Sequence, residues 1–436
     1  MGLHFLKTAL SLPIPEHKEA TEGHPYEVFQ PDFVYIPAVD NRNNPLKGLL
    51  PVGTLVFKGT LLGTGVDDFP TYSSVSGQIV SHKYMMMADG KVRECLEIAN
   101  DRRNQWIRRP ALPDASHCSK EEILAAIKDS GAVGFGGAGF PTYRKYNSGK
   151  PVEAIIVNAI ECEPYLTTDY NYGRMNMSEV FLAIPYLLRL TGAKKIYIAV
   201  KRGREALIDA VRKELSRKEN KNYPVALKIL PDRYPMGYER SLVRSILHKE
   251  YQALPIEVGA IVNNLYTVMA LARRFVFGEV VADRCITVSG EVNCPKDVLA
   301  PAGTLASDLI NFAGGPTIRQ FKLISGGPMC GTCHESDYVL PLQANGVLLF
   351  RPAKVESEPC WHCGKCIDNC PMGLQPVQIQ MALKANNIDR LLKLKAAICI
   401  NCGLCSYVCP SKIDVSNNVQ KAKALLLKQP QQKGAK

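Results

Sequence analysis

Residues 1–115 are built from short apolar runs, such as Phe33-Val34-Tyr35-Ile36-Pro37 and Thr54-Leu55-Val56-Phe57, broken by turn clusters such as Asp40-Asn41-Arg42-Asn43-Asn44-Pro45. This alternation predicts β structure. Between Ser119 and about Gly278 the period lengthens. Helical spacing over 121–130, 180–191 and 205–215 alternates with apolar runs at 154–158, 195–200 and 225–230, the pattern of a mostly parallel α/β sheet. Short β runs return at 285–292 and 323–329 with a short helix opening near 301–310. The last 80 residues or so are dominated by cysteine-rich loops, ending in helical spacing of Val419, Ala422, Leu425 and Leu426. The expected class is multidomain α/β plus β, divided at 1–115, 116–280, 281–350, 351–415 and a basic tail 416–436.

The 436 residues are 46% hydrophobic and 22% charged, a balance that supports buried cores. The net charge of +12 suits an acidic electron carrier or a membrane surface. No Lys/Arg block with interleaved aromatics is present, so nucleic acid is not an expected partner. No apolar run is long enough to span a bilayer, and no signal peptide is evident at residues 1–10. Scattered cysteines outside the motifs below point to a reducing compartment.

The chemistry begins with Cys360, Cys363, Cys366 and Cys370, and again with Cys399, Cys402, Cys405 and Cys409. Each set is C-x2-C-x2-C-x3-C-P, the bacterial run for 4Fe–4S clusters, in which the fourth Cys ligates the other cluster. The expected sets are Cys360, Cys363, Cys366 with Cys409, and Cys399, Cys402, Cys405 with Cys370. His362 lies inside the first run and is read as shielding the cluster. Cys330-Gly331-Thr332-Cys333-His334 matches the c-type haem signature and is read as a chance match. Met85-Met86-Met87 is read as an apolar turn or contact segment rather than a soft-metal site. Cys162 is read as buried filler.

A second stretch, Gly134-Phe135-Gly136-Gly137-Ala138-Gly139-Phe140-Pro141-Thr142, has four glycines in six positions. Without Cβ atoms the backbone N–H groups approach a phosphate closely. No predicted strand immediately precedes it, so it is not an ordinary dinucleotide fingerprint.

Several segments resemble known families. Residues 52–62 with 74–80 resemble the barrel-sandwich hybrid of biotinyl/lipoyl domains, with Gly53 and Gly77 at tight turns and no carrier tip. Residues 281–350 resemble a β-grasp (SLBB-like) module. The glycine loop with Lys145, and Asn158-Ala159-Ile160-Glu161-Cys162-Glu163-Pro164, resemble the FMN/NADH-binding subunit of respiratory complex I, as do residues 234–239 and Val262-Asn263-Asn264. Over roughly residues 10–415 the chain is similar to the C-subunit family of Rnf (Rsx) ion-translocating electron-transport complexes. The segments that carry this likeness include residues 161–167, Ser325-Gly326-Gly327-Pro328-Met329 and Cys370-Pro371-Met372-Gly373-Leu374. Ile160 replaces an acid, and Met-Cys-Gly-Thr replaces Met-Met-Gly.

The resemblance implies a Rossmann-like flavin domain followed by a two-cluster ferredoxin-like helical domain. It implies non-covalent FMN, with Gly134, Gly136, Gly137 and Gly139 cradling its phosphate beside Lys145. Asn158 and Glu161 would line the ring, Glu239 the flavin or nucleotide edge, and Asn263 and Asn264 the phosphate or ribityl side. Glu163 would meet the NAD(H) face. The expected function is the nicotinamide-facing peripheral subunit of a membrane ferredoxin:NAD+ oxidoreductase. It would sit on the cytoplasmic face, held by membrane and peripheral partner subunits, with ferredoxin reached indirectly and Na+ or H+ moved elsewhere in the complex. A soluble NADH-dependent corrinoid reductase shares these parts. There the glycine motif is expected near the N-terminus, whereas about 130 residues precede it here.

Overall fold

A computed structural model describes residues 12–40, 43–137 and 139–428. The end of the basic tail, residues 429–436, lies outside the described residues.

The N-terminal β unit has an antiparallel sheet in the order Phe33–Pro37, Val92–Asn100, Gly77–Met86, Leu55–Val56. A second pair, Leu61–Thr64 with Pro70–Tyr72, completes it. Val34, Ile36, Val56, Leu62, Ile79, Leu96 and Ile98 form its core. Gly53 sits at a turn with φ +91°. Gly77 is not at a hairpin turn; it opens the strand Gly77–Met86, paired with Val56 and Asn100. Met85 and Met86 likewise belong to the end of that strand, and Met87 is buried with its sulfur 3.9 Å from Cys95 Sγ. A run of three methionines has no period from which a strand end is readable.

The α/β unit carries a four-stranded parallel sheet ordered Val225–Leu230, Lys195–Lys201, Ala154–Ala159, Ala260–Asn264. The first three strands match the apolar runs. The fourth, and the helix Leu265–Phe277 after it, do not show in the pattern. The strand has only three apolar residues before Asn263 and Asn264, and the mostly apolar helix follows without a break, so neither period stands out. Helix Lys120–Asp129 starts at a capping box of Ser119 and Glu122. The helix expected at 180–191 runs over Thr168–Thr191, with non-helical dihedrals at Asn176. Its polar first turn, Thr168-Asp169-Tyr170-Asn171, hides the start.

A six-stranded mixed sheet follows, ordered Glu27–Val28, Lys296–Pro301, Asp283–Gly290, Gly346–Phe350, Lys322–Ser325, Thr332–His334. Its first strand comes from the N-terminal segment. Leu12 also pairs with Tyr234, so residues 12–28 strap the α/β unit to this sheet. The cysteine-rich unit packs Ile379, Leu391, Val419 and Ala422 in one core. The helix Val415–Lys428 therefore packs on its own unit. No helix among the described residues is long and apolar enough to cross a membrane.

Polar contacts join the units. Lys58 donates to Asp283 Oδ2 at 2.7 Å and lies 4.7 Å from the Trp106 ring centroid. Burial alone raises the Asp283 carboxyl, and Lys58 outweighs it, leaving the group below the usual carboxylate range. Its contribution is thus present above that range and is lost as pH falls through the depressed value. Lys58→Met should lower unfolding stability near neutral pH by about 3 kcal/mol, since it strands a buried carboxylate. Denaturant titration should show the gap to wild type closing under acid conditions.

Candidate flavin and iron–sulfur sites

From the central strand Ala154–Ala159 the chain moves outward through two strands and then returns to the opposite side at Ala260–Asn264. The reversal leaves a crevice at the carboxyl ends of those two strands, where open α/β sheets take ligands. Asn158 and Asn264 lie there in register. A cavity of about 1300 Å³ opens at this edge.

The glycine loop forms one wall. Gly134 N donates to Phe140 O at 2.8 Å, and Phe135 N to Thr267 Oγ1 at 3.3 Å, fixing the loop on the helix Leu265–Phe277. Gly136 has φ +76°, and Gly137 has no atom within 4 Å of the place a Cβ takes. Gly134, Gly136 and Gly137 line the cavity. Gly139 instead packs toward Gln343, which lines it. This open, side-chain-free cradle fits a phosphate.

The remaining expected residues divide. Lys145 donates to Glu239 Oε1 at 2.8 Å and to Val262 O at 2.7 Å, so two cavity residues form one pair. Asn158 donates to Gly237 O at 2.8 Å and accepts from Ile160 N at 3.0 Å, tying the strand end to the 234–238 loop. Glu161 accepts from Thr168 Oγ1 at 2.8 Å and from Asp169 N at 3.3 Å, at the start of the long helix. Burial lifts its carboxyl to about 7 against the opposing charge of Lys18. Glu163 accepts from Met329 N at 3.0 Å, and burial raises it too. Asn264 caps the helix Leu265–Phe277 and donates to Asp169. Asn263 does not line the cavity. It is buried behind the wall, donating to Tyr146 OH at 2.5 Å. Cys162 lines the cavity, and burial pushes its thiol up to about 12, away from a reactive thiolate.

The opposite wall comes from elsewhere: Gly326, Gly327, Cys330 and Gln343 from the six-stranded sheet unit, and Ile400 and Asn401 from the second cysteine run. Cys330 Sγ lies 2.5 Å from Tyr238 OH and donates to Asn401 O at 3.2 Å. Tyr234 OH donates to Cys402 O at 2.7 Å. Gly403, at φ +75°, approaches so closely that a Cβ would lie 2.5 Å from Met329 O. Asp169, Tyr238, Cys330, Gln343 and Asn401 are wall residues beyond the expected set. Of these, Tyr238 carries a sequence signal from its place beside Glu239, and Cys330 from its place after Ser325–Met329. In the haem-like match, Cys330 faces Asn401 while His334 stacks on Tyr338 at 4.2 Å.

The cysteine loops suit cluster ligation. His362 N, Leu374 N and Asn401 N each lie 3.4 Å from Cys360, Cys370 and Cys399 Sγ, respectively. Amides of this kind stabilise cluster-bound thiolates. Burial raises the Cys366 thiol, and its cysteine neighbours are Cys360 and Cys409. Burial also raises Cys402 to about 12, with Cys370 and Cys399 beside it. Among the described residues no three His, Cys, Asp or Glu converge as single-ion ligands. A cubane takes its thiolates on separate irons, so convergence on one point is not its requirement.

Three domain families match the chain: the Nuo51 FMN-binding domain over residues 127–273, the SLBB domain over 285–332 and a 4Fe-4S dicluster domain over 359–413. The protein is a mixed α/β flavin and iron–sulfur protein, with an FMN site and 4Fe–4S clusters. It is 30% identical over 382 residues to the C subunit of the proton-translocating ferredoxin:NAD(+) oxidoreductase complex of Clostridium ljungdahlii, covering 84% of this chain and 82% of the relative. The chain belongs to this family of ferredoxin:NAD+ oxidoreductase (ion-translocating oxidoreductase) complex C subunits. It is also 31% identical over 360 residues to the C subunit of the ion-translocating oxidoreductase complex of Vibrio cholerae, covering 79% of this chain but 46% of that longer relative. A chain of an air-oxidised NAD+-reducing NiFe hydrogenase shares the fold, with a TM-score of 0.50 at 21% identity over 73% of this chain and 65% of that one.

Gly136→Ala forces a side chain into the left-handed region, at roughly 1–2 kcal/mol, and brings a Cβ to 3.3 Å from Asn264 Nδ2. The flavin-to-protein ratio after purification should fall, with the folded structure retained by circular dichroism.

Proposed function

We propose that the chain is the nicotinamide-facing peripheral subunit of an ion-translocating ferredoxin:NAD+ oxidoreductase complex, exchanging electrons between NAD(H) and two 4Fe–4S clusters by way of FMN. One observation carries this reading: a single cavity is walled by the glycine loop, by the 161–163 loop and by Ile400 and Asn401 of the second cysteine run. FMN bound here would supply hydride exchange with nicotinamide and single-electron exchange with iron–sulfur clusters.

The chain's own residues then have definite tasks. Gly136 and Gly137 hold the phosphate end, with Gly134, whose N–H is taken by Phe140 O, and Gly139, against Gln343, shaping the loop. The Lys145–Glu239 pair and Asn264 flank it, and Asn263 supports the wall from behind. Asn158 and Glu161 fix the loop that would line the ring. Glu163, half-buried and fixed by Met329 N, orients the nicotinamide; its raised carboxyl needs no proton-transfer role in hydride exchange. Tyr234, Tyr238 and Cys330 fill the space between cavity and cluster loop and exclude water there. Cys360, Cys363, Cys366 and Cys409 hold one cluster, and Cys399, Cys402, Cys405 and Cys370 the other.

On this reading the N-terminal β unit that begins at Phe33 is a barrel-sandwich hybrid, the unit over 116–280 a Rossmann-like flavin domain, that over 281–350 a β-grasp module and that over 351–415 the cluster domain, with residues 12–28 strapped to the later units. Ion movement belongs to membrane partner subunits, which hold this subunit on the cytoplasmic face and deliver electrons from ferredoxin.

Anaerobic NADH should bleach the flavin absorbance of the purified holoprotein. A flavin that stays oxidised under excess NADH removes the nicotinamide role. For the clusters, Cys409→Ser should abolish the same electron paramagnetic resonance signal as Cys360→Ser, and Cys370→Ser the same one as Cys399→Ser. The opposite grouping would show that the distal cysteines are not exchanged.

A further inference from the structure

Arg284 sits on the strand Asp283–Gly290, which runs into the SLBB-matching residues 285–332, yet its side chain is buried against the α/β unit. It donates to Asp169 Oδ1 at 2.9 Å. Its guanidinium lies 4.3 Å from the Tyr266 ring centroid and 5.3 Å from that of Phe135, a residue of the glycine loop. Nε and Nη1 have no hydrogen-bond acceptor among the described residues. The cation is therefore held by one carboxylate and two aromatic faces.

Asp169 is the link to the cavity, which it lines. Its second oxygen accepts from Asn264 Nδ2. Asn264 Oδ1 accepts from Tyr266 N at 2.8 Å, and its amide lies 3.3 Å from the place a Cβ would take on Gly136. A carboxylate beside an anion cradle repels the anion unless a cation neutralises it. Lys145 is already engaged by Glu239.

We propose that Arg284 is a positioning residue for the phosphate end of the flavin. By holding Asp169 neutralised, with its second oxygen on Asn264, it keeps the glycine loop receptive to a dianion. The six-stranded sheet unit thereby controls ligand affinity in its neighbour. This rests on the reading that the glycine loop takes the FMN phosphate.

The test titrates flavin-stripped full-length protein with FMN and with riboflavin, which lacks the phosphate, following flavin fluorescence. Arg284→Met should weaken FMN by roughly tenfold, a typical size for coupling between a site and a remote group, and leave riboflavin affinity unchanged. Arg284→Met with Asp169→Asn should recover most of the loss. Equal losses for both flavins, or no loss, in a protein that otherwise prefers FMN overturn the inference alone. Equal binding of both flavins by the wild type overturns the phosphate reading and the inference with it. Should Arg284→Met fail to fold, Asp169→Asn alone decides. Tighter FMN with riboflavin unchanged supports the role, and parallel shifts or none overturn it.

Discussion

The parallel sheet of the α/β unit ends all four strands on one edge, and the helices that follow them begin there, at Thr168, Glu205, Glu239 and Leu265. Each helix start presents unpaired N–H groups and a partial positive charge. That edge attracts carboxylates from near and far. Asp169, Glu205 and Glu239 occupy first turns, and Glu161 reaches back to accept from the long helix. The switch in strand order places Asn158 and Asn264 side by side at the same edge. Cavity, glycine loop and acidic loop are all consequences of where this sheet stops.

Burying that many charges requires partners, and the other units supply them. Arg284 comes from the six-stranded sheet and meets Asp169, and Lys58 crosses from the β unit to Asp283. The N-terminal strap brings Lys18 to Glu161 O at 2.7 Å, while its Glu16 meets Lys201 and Arg204. Such pairs gain little net energy over apolar packing, yet breaking one strands a buried charge. Their effect is to fix how the units sit on one another, and so to fix the cavity that lies between them.

The sequence displays what chemistry demands of residue identity. Cluster ligation needs cysteines at fixed spacing, and a phosphate cradle needs glycines, so both runs and the 134–139 loop are legible. Three of the four parallel strands are legible because polar helices separate them. The fourth is hidden because only Ala260, Ile261 and Val262 are apolar before Asn263 and Asn264, and the apolar-rich helix follows at once. Asp169 and Arg284 are invisible for another reason: they lie 115 residues apart, and nothing local marks either as part of a site. Asn263 illustrates the converse. It neighbours a cavity residue in sequence, but the strand alternation turns it away from Asn264 and buries it against Tyr146.

Two near-identical cysteine runs need not have equal surroundings, and here they differ. The second is pressed against the cavity through Tyr234, Met329 and Asn401, with Cys402 buried. The first lies outward. Cys363 is exposed, and the neighbouring Trp361 keeps 61% of its surface in solvent. Residues 351–428 also hold eleven Lys/Arg against five Asp/Glu, so this unit carries a disproportionate share of the basic excess. The two copies of the motif therefore stand in different places, one near the cavity and one near the surface, so folding treats them differently. The close approach at Gly403 is what separates them: no side chain fits there, so the second loop seats against Met329, while the first copy's Gly364 has only the Asp368 carboxylate tip within 4 Å of its Cβ position.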